Sequence, residues 1–173
     1  RGPAPRPWVP GVWRDAPWAG GRLGTTHQPF AGGVSLLAME SGGRALRAAV
    51  TQGENVLAGY DRGAAAMLGG LAYGTASAGA AHAMSQSAGG VHDAPHGALT
   101  ARLLGPVMEY NHAGEPERFA RMAAAFGVDT RGATVWRAAE MAVEYVHQLT
   151  KDVDIPTLQK VCVHHDAKPT VPD

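Results

Sequence analysis

Little in this 173-residue sequence is reactive sulfur, aromatic, or charged with one predominant sign. Cys162 stands alone, so no internal disulfide can form and no second thiol is at hand for a zinc or redox pair. A reducing, cytoplasmic setting is the expectation. Fifteen basic side chains balance fifteen acidic ones. With no net field, nucleic acid, anionic membranes and polyanionic substrates are not expected as partners. No run approaches the ~18 apolar residues of a membrane span; Ala64 to Ala83 is small and apolar, but Gly69, Gly70, Gly74 and Gly79 interrupt it. Arg1 to Gly11 carries prolines where a secretion signal carries an apolar run. Period-two alternation of β-branched residues, internal repeats, a serine elbow and a P-loop are all missing. Gly20-Gly21 and Gly32-Gly33 lack the GxGxxG spacing and follow no strand pattern. No nucleotide site is visible.

The pattern that is present is helical, and the expected fold class is all-α, a helical bundle. At this length a domain buries roughly two thirds of the surface its unfolded chain exposes, so a true core is expected. Residues 1–27 read as an irregular arm rich in proline and glycine, with Trp8, Trp13 and Trp18 at a spacing that fits neither helix nor strand. From Val34 to Val50 the apolar spacing is loosely helical, yet Gly42 and Gly43 each cost about 1 kcal/mol against alanine, which predicts a weak or broken helix. After a turn at Thr51 to Asn55, the alanine-rich stretch Tyr60 to Ala83 predicts a buried central helix interrupted near Gly74 to Gly79. Gly89 to Gly97 reads as a loop with His96 at its junction with the next helix, Ala98 to Tyr110. A further helix is expected over Glu115 to Phe126, stopped by Gly127 in the position glycine favours after a helix. Thr134 to Thr150 is the clearest, with Val135, Ala138, Ala139, Ala142, Val143, Val146 and Leu149 on one face. Ile155-Pro156-Thr157 bends the chain, and no regular element is expected beyond it. Residues 28–169 form the expected domain and residues 170–173 a tail.

Eight histidines are many for such a chain, and His82, His92 and His96 fall around one glycine-rich segment. Imidazoles bind a divalent metal when they converge in space, and a chain that folds back between two helices can bring together positions fourteen apart. Taken singly, a surface or hydrogen-bonded histidine is the ordinary reading. His112 and His147 fit helix ends and helix faces, where a cationic ring interacts with the helix dipole. His164 and His165 fall in a polar tail.

The segment His82-Ala83-Met84-Ser85-Gln86-Ser87-Ala88-Gly89-Gly90, followed by Asp93-Ala94-Pro95-His96-Gly97, resembles the signature of the iron-containing alcohol dehydrogenase family. The likeness extends through Leu103-Leu104, Val107 to Asn111, Arg118-Phe119-Ala120, Phe126 to Asp129 and Asp154 to Leu158, and upstream to Pro29-Phe30 and Arg44 to Val50. It covers roughly residues 28–169 and corresponds to the family's carboxy-terminal helical domain; the family's amino-terminal α/β domain, which binds NAD or NADP, has no counterpart in these residues. The resemblance implies that His82 and His96 are two metal ligands, for Fe2+ or Zn2+, and that Gln86 is a cofactor contact. The family's two earlier ligands are an aspartate and a histidine four residues apart. Here Asp15 has Ala19 at the histidine's place, and His27 is twelve residues from Asp15. The implied chemistry is hydride transfer between an alcohol carbon and nicotinamide, with a small alcohol or aldehyde as substrate and a separate nucleotide-binding chain or a homo-oligomer as partner. No residue of this chain is assigned a catalytic role, and the isolated chain is expected to be inactive. The alternative is a helical interaction or assembly module that has lost catalysis.

Overall fold

The computed structural model describes residues 29–76 and 79–163. The expectations for the tryptophan arm, for Asp15, Ala19 and His27, and for His164, His165 and the tail lie outside those residues. Within them the protein is all-helical, as the sequence pattern predicts. In chain order the helices are α1 (Pro29–Thr51), α2 (Val56–Ala76), α3 (Ala80–His92), α4 (His96–Asn111), α5 (Pro116–Ala125), α6 (Val135–Asp152) and α7 (Leu158–Val163), with a 3-10 turn at His112–Gly114. No described helix is long and apolar enough to cross a membrane.

The core lies where α4, α5 and α6 meet. Phe119, Met122 and Ala123 of α5 pack with Met108 of α4 and with Ala139, Ala142, Val143 and Val146 of α6. These positions recur three and four residues apart, so each helix turns one apolar face inward. The local signals agree. Thr134 caps α6 by accepting a bond from the Arg137 amide at 3.2 Å. After α5, the Gly127 amide bonds the Ala124 carbonyl and the Val128 amide bonds the Ala123 carbonyl, both at 3.0 Å, with Gly127 at φ 80°. That pair of bonds is the Schellman ending glycine permits.

Four expectations are corrected. First, α1 runs unbroken through Gly42 and Gly43. Packing outweighs their helix propensity: a Cβ on Gly43 would stand 3.1 Å from the Phe126 backbone, and one on Gly42 would touch Ala65 of α2 at 3.6 Å. Around that contact the Tyr145 hydroxyl donates to the Gly43 carbonyl at 3.0 Å. The Tyr145 ring stacks on Phe126, and the Arg47 guanidinium lies 4.8 Å over its face. Arg47 also bonds Asp152 at 2.6 Å. This cluster fastens α1 to the core.

Second, α2 is not a buried central helix. Its small residues serve contact with α1, where Ala58 and Ala72 are buried, while Leu57 is 79% and Tyr60 74% exposed, with Met67 and Leu71 also outward. The expected interruption after Gly74 does fall at the end of α2. Third, the glycines Gly89 and Gly90 belong to α3, and the loop is only Asp93 to Pro95. Fourth, the chain beyond Pro156 forms α7, whose Val161 is buried against Leu99 and Ala94. Thr157 starts it, its hydroxyl accepting from the Lys160 amide at 3.4 Å and its carbonyl from the Val161 amide at 3.0 Å.

Candidate metal centre

The chain reverses between α3 and α4 at Asp93, which adopts a left-handed conformation at φ 51°. Such a conformation suits aspartate better than most non-glycine residues, because its short polar side chain bonds locally. The reversal is tight: Ala94 is buried, and the Gly89 position of α3 faces the Ala94 carbonyl and the Leu99 side chain. α4 therefore begins not beyond the end of α3 but back alongside it. Its first residue, His96, returns to the opening turns of α3, where His82 is the third residue.

The two imidazoles meet there edge to face, with ring centroids 4.5 Å apart and planes at 70°. His82 is half-buried and His96 exposed, so the pair opens to the surface. On its other side the His82 ring faces Tyr73, near the end of α2, at 5.0 Å. Beneath the pair lies a buried hydroxyl. Ser85 donates to the His82 carbonyl at 2.8 Å and stands 3.2 Å from His96 Nδ1. Thr100, one turn after His96, donates to Ser85 at 2.7 Å.

Gln86 follows His82 by one helical turn on the same side of α3, with its side chain exposed. His92 does not join the pair; it ends α3 near Ala88 and Val91, lining a separate shallow recess with Met84. His112 bonds the Glu109 carbonyl at 2.7 Å and lies edge-on to Phe119, while His147 Nε2 stands 2.9 Å from the Glu109 carboxylate. Both belong to the α4–α6 side of the molecule.

Two imidazoles in contact, open to the surface, fit two positions of a divalent metal's donor set. Among the described residues no group of three or more His, Cys, Asp or Glu side chains converges on one point. Among the described residues the fit is thus to two donors, and the expected earlier ligands lie outside those residues, before Pro29. Sequence reasoning singled out His82, His96 and Gln86 but missed Ser85, Thr100 and Tyr73. Only Ser85 carried a signal, its place inside the His-Ala-Met-Ser motif.

The family model described as Fe-containing alcohol dehydrogenase family, C-terminal, matches residues 23–171. The choline dehydrogenase of Bacillus subtilis (strain 168) is 46% identical over 139 residues, which are 80% of this chain and 35% of that protein. The 1,3-propanediol dehydrogenase of Citrobacter freundii is 37% identical over 128 residues, 74% of this chain and 33% of the relative. Among solved structures, an alcohol dehydrogenase from Oenococcus oeni superposes with a TM-score of 0.76 at 36% identity, covering 86% of this chain and 38% of that one. A 1,3-propanediol oxidoreductase crystal structure gives a TM-score of 0.73, also at 36% identity, covering 75% and 34%. The chain spans about a third of the length of the relatives it matches.

Proposed function

The chain belongs to the Fe-containing alcohol dehydrogenase family, as its carboxy-terminal helical domain, and on that premise we propose that it is the metal-holding part of an NAD(P)-dependent alcohol dehydrogenase. In this reading residues 28–169 form the domain, with residues 1–27 as an arm and 170–173 as a tail. The observation that carries the reading is the contact of His82 with His96 at 4.5 Å, made by two residues fourteen positions apart. Each would hold the ion, Fe2+ or Zn2+, through a neutral ring nitrogen. A divalent metal bound there supplies a Lewis acid for the oxygen of an alcohol or aldehyde.

What the chain's own residues contribute is placement. The Asp93 reversal sets the spacing of the two rings, Tyr73 backs His82, and the exposed Gln86 amide stands one turn along, where it can make a polar contact with a nicotinamide cofactor. NAD or NADP comes through a domain with no counterpart in these residues. Among the described residues His82 and His96 are the two donors, so the 173-residue chain by itself is expected to bind metal weakly, with water in the other coordination positions, and to be inactive in hydride transfer. The setting is cytoplasmic. Isothermal titration with zinc or ferrous ion tests the reading: the wild-type chain takes up metal, and the double change His82→Ala/His96→Ala abolishes it. Uptake unaffected by the double change refutes the metal role.

A second reading, a helical assembly module, is favoured by the outward face of α2. Leu57, Tyr60, Met67 and Leu71 are all exposed, at intervals of three, seven and four residues that lay them along one stripe, the pattern by which a helix pairs with a second copy of itself. Light scattering distinguishes it: a metal-free dimer lost on Leu57→Glu/Met67→Glu supports this reading, and a strict monomer excludes it.

A further inference from the structure

We infer that Ser85 is the positioning residue of the His96 imidazole, its hydroxyl accepting the Nδ1 proton and so leaving Nε2 as the nitrogen open to a metal ion. The inference rests on the reading of His82 and His96 as metal ligands and adds a residue to it. Ser85 is fully buried, where a hydroxyl has one proton to give and two lone pairs to fill. Three partners stand around it: the His82 carbonyl at 2.8 Å, Thr100 Oγ1 at 2.7 Å and His96 Nδ1 at 3.2 Å.

The proton count decides the histidine's tautomer. Thr100 has one proton and two acceptors within reach, Ser85 Oγ and the His96 carbonyl at 2.9 Å. If it goes to Ser85, the Ser85 proton goes to the His82 carbonyl. If it goes to the His96 carbonyl, the Ser85 proton still has a partner at 2.8 or 2.7 Å. In both arrangements the shorter bonds use the Ser85 proton, and the 3.2 Å contact must be supplied from the histidine side. A bare Nδ1 lone pair there would oppose an oxygen lone pair of the fully buried Ser85 hydroxyl, a repulsion in place of a hydrogen bond. Nδ1–H removes that conflict. Nε2 then keeps its lone pair, and its contact with Thr100 Oγ1, at 3.5 Å, is too long to compete for it.

The same hydroxyl therefore touches both proposed ligands: it bonds the backbone of His82 and orients the ring of His96. Histidines that ligate metals are commonly oriented through the other ring nitrogen, and loss of such a partner weakens metal binding about 10- to 100-fold.

The test is the tautomer itself, read from two-bond proton–nitrogen correlations of the imidazoles in the 15N-labelled, metal-free 173-residue chain at a pH where the rings are neutral. Wild-type His96 is protonated at Nδ1. Ser85→Ala moves it toward the Nε2–H form that free imidazole side chains prefer, and lowers affinity for zinc ion about 10-fold or more. Thr100→Val, which leaves the Ser85 hydroxyl in place, keeps the Nδ1–H form. A wild-type ring protonated at Nε2 overturns the inference with no variant needed. So does a Ser85→Ala chain that keeps the tautomer, or one that changes tautomer yet binds zinc as tightly as wild type. If the wild-type chain takes up no zinc at all, the metal reading fails, while the tautomer result still decides the role of Ser85.

Discussion

Gly42 and Gly43 are neighbours in the same helix, yet alanine at the two positions is expected to act with opposite sign. In a helix interior, glycine to alanine stabilises by about 1 kcal/mol, through lower chain entropy in the unfolded state and less exposed backbone. At Gly42 nothing opposes that gain, since the new Cβ meets Ala65 Cβ at 3.6 Å, an ordinary contact. At Gly43 the Cβ stands 3.1 Å from both Cα and O of Phe126, which are backbone atoms and cannot rotate away. Relieving the overlap means sliding α1 against the α5 end, and overpacking of this kind costs about 1–3 kcal/mol. The slide also strains the Tyr145 bond to the Gly43 carbonyl and the stack of Tyr145 on Phe126. Subtracting the propensity gain leaves Gly43→Ala destabilised by up to about 2 kcal/mol, whereas Gly42→Ala gains about 1. At about 2–4 °C per kcal/mol for a chain of this size, the two variants should melt several degrees apart, on either side of wild type. Thermal unfolding followed by circular dichroism at 222 nm reads this directly. A Gly43→Ala protein as stable as Gly42→Ala would refute the account of how α1 meets the core.

Other substitutions probe the remaining joints. Phe119→Ala empties the centre of the α4–α6 core, where Phe119 is fully buried, and should cost about 3–5 kcal/mol in urea unfolding. Thr134→Ala removes the α6 cap and should cost about 1 kcal/mol, with Thr134→Ser retaining most of the stability. The hydrogen bond from Arg47 holds the Asp152 carboxyl below its ordinary 3.8, with a smaller pull from Gln148. Because the folded value is the lower one, the stability linked to this group is fully present above that ordinary value and drains away as pH falls through the depressed one. Asp152→Asn should therefore lower the melting temperature modestly at neutral pH and flatten the acid limb, the two profiles converging at low pH; an unchanged acid limb counts against the Arg47 link.

Much of the helical frame could be read from residue spacing. α5 and α6 each carry one apolar face with a cap or glycine at the boundary, so local preference and tertiary packing give the same answer; five of the seven α6 positions that spacing puts on that face are buried, while Leu149 is half-buried and Val135, in the first turn, is exposed. The misreadings have different causes. Gly42, Gly43, Gly89 and Gly90 look like helix breakers because propensity is a local quantity, but each sits inside a helix whose packing outweighs a cost of about 1 kcal/mol. The alanines of α2 look like a buried helix because small residues are common in cores. Here they let α1 approach on one side while large apolar side chains face outward on the other.

The candidate site divides along the same line. His82 and His96 could be found because the motif around the pair is distinctive. Ser85, Thr100 and Tyr73 are ordinary residues on three different helices, and what makes them matter is a set of contacts no single segment contains. Those contacts exist because Asp93 turns the chain back on α3 so that the start of α4 lies beside the start of α3. A spacing of fourteen residues on one continuous helix would part the rings by about 21 Å. The reversal at Asp93 is therefore what converts a sequence motif into a pair of touching imidazoles.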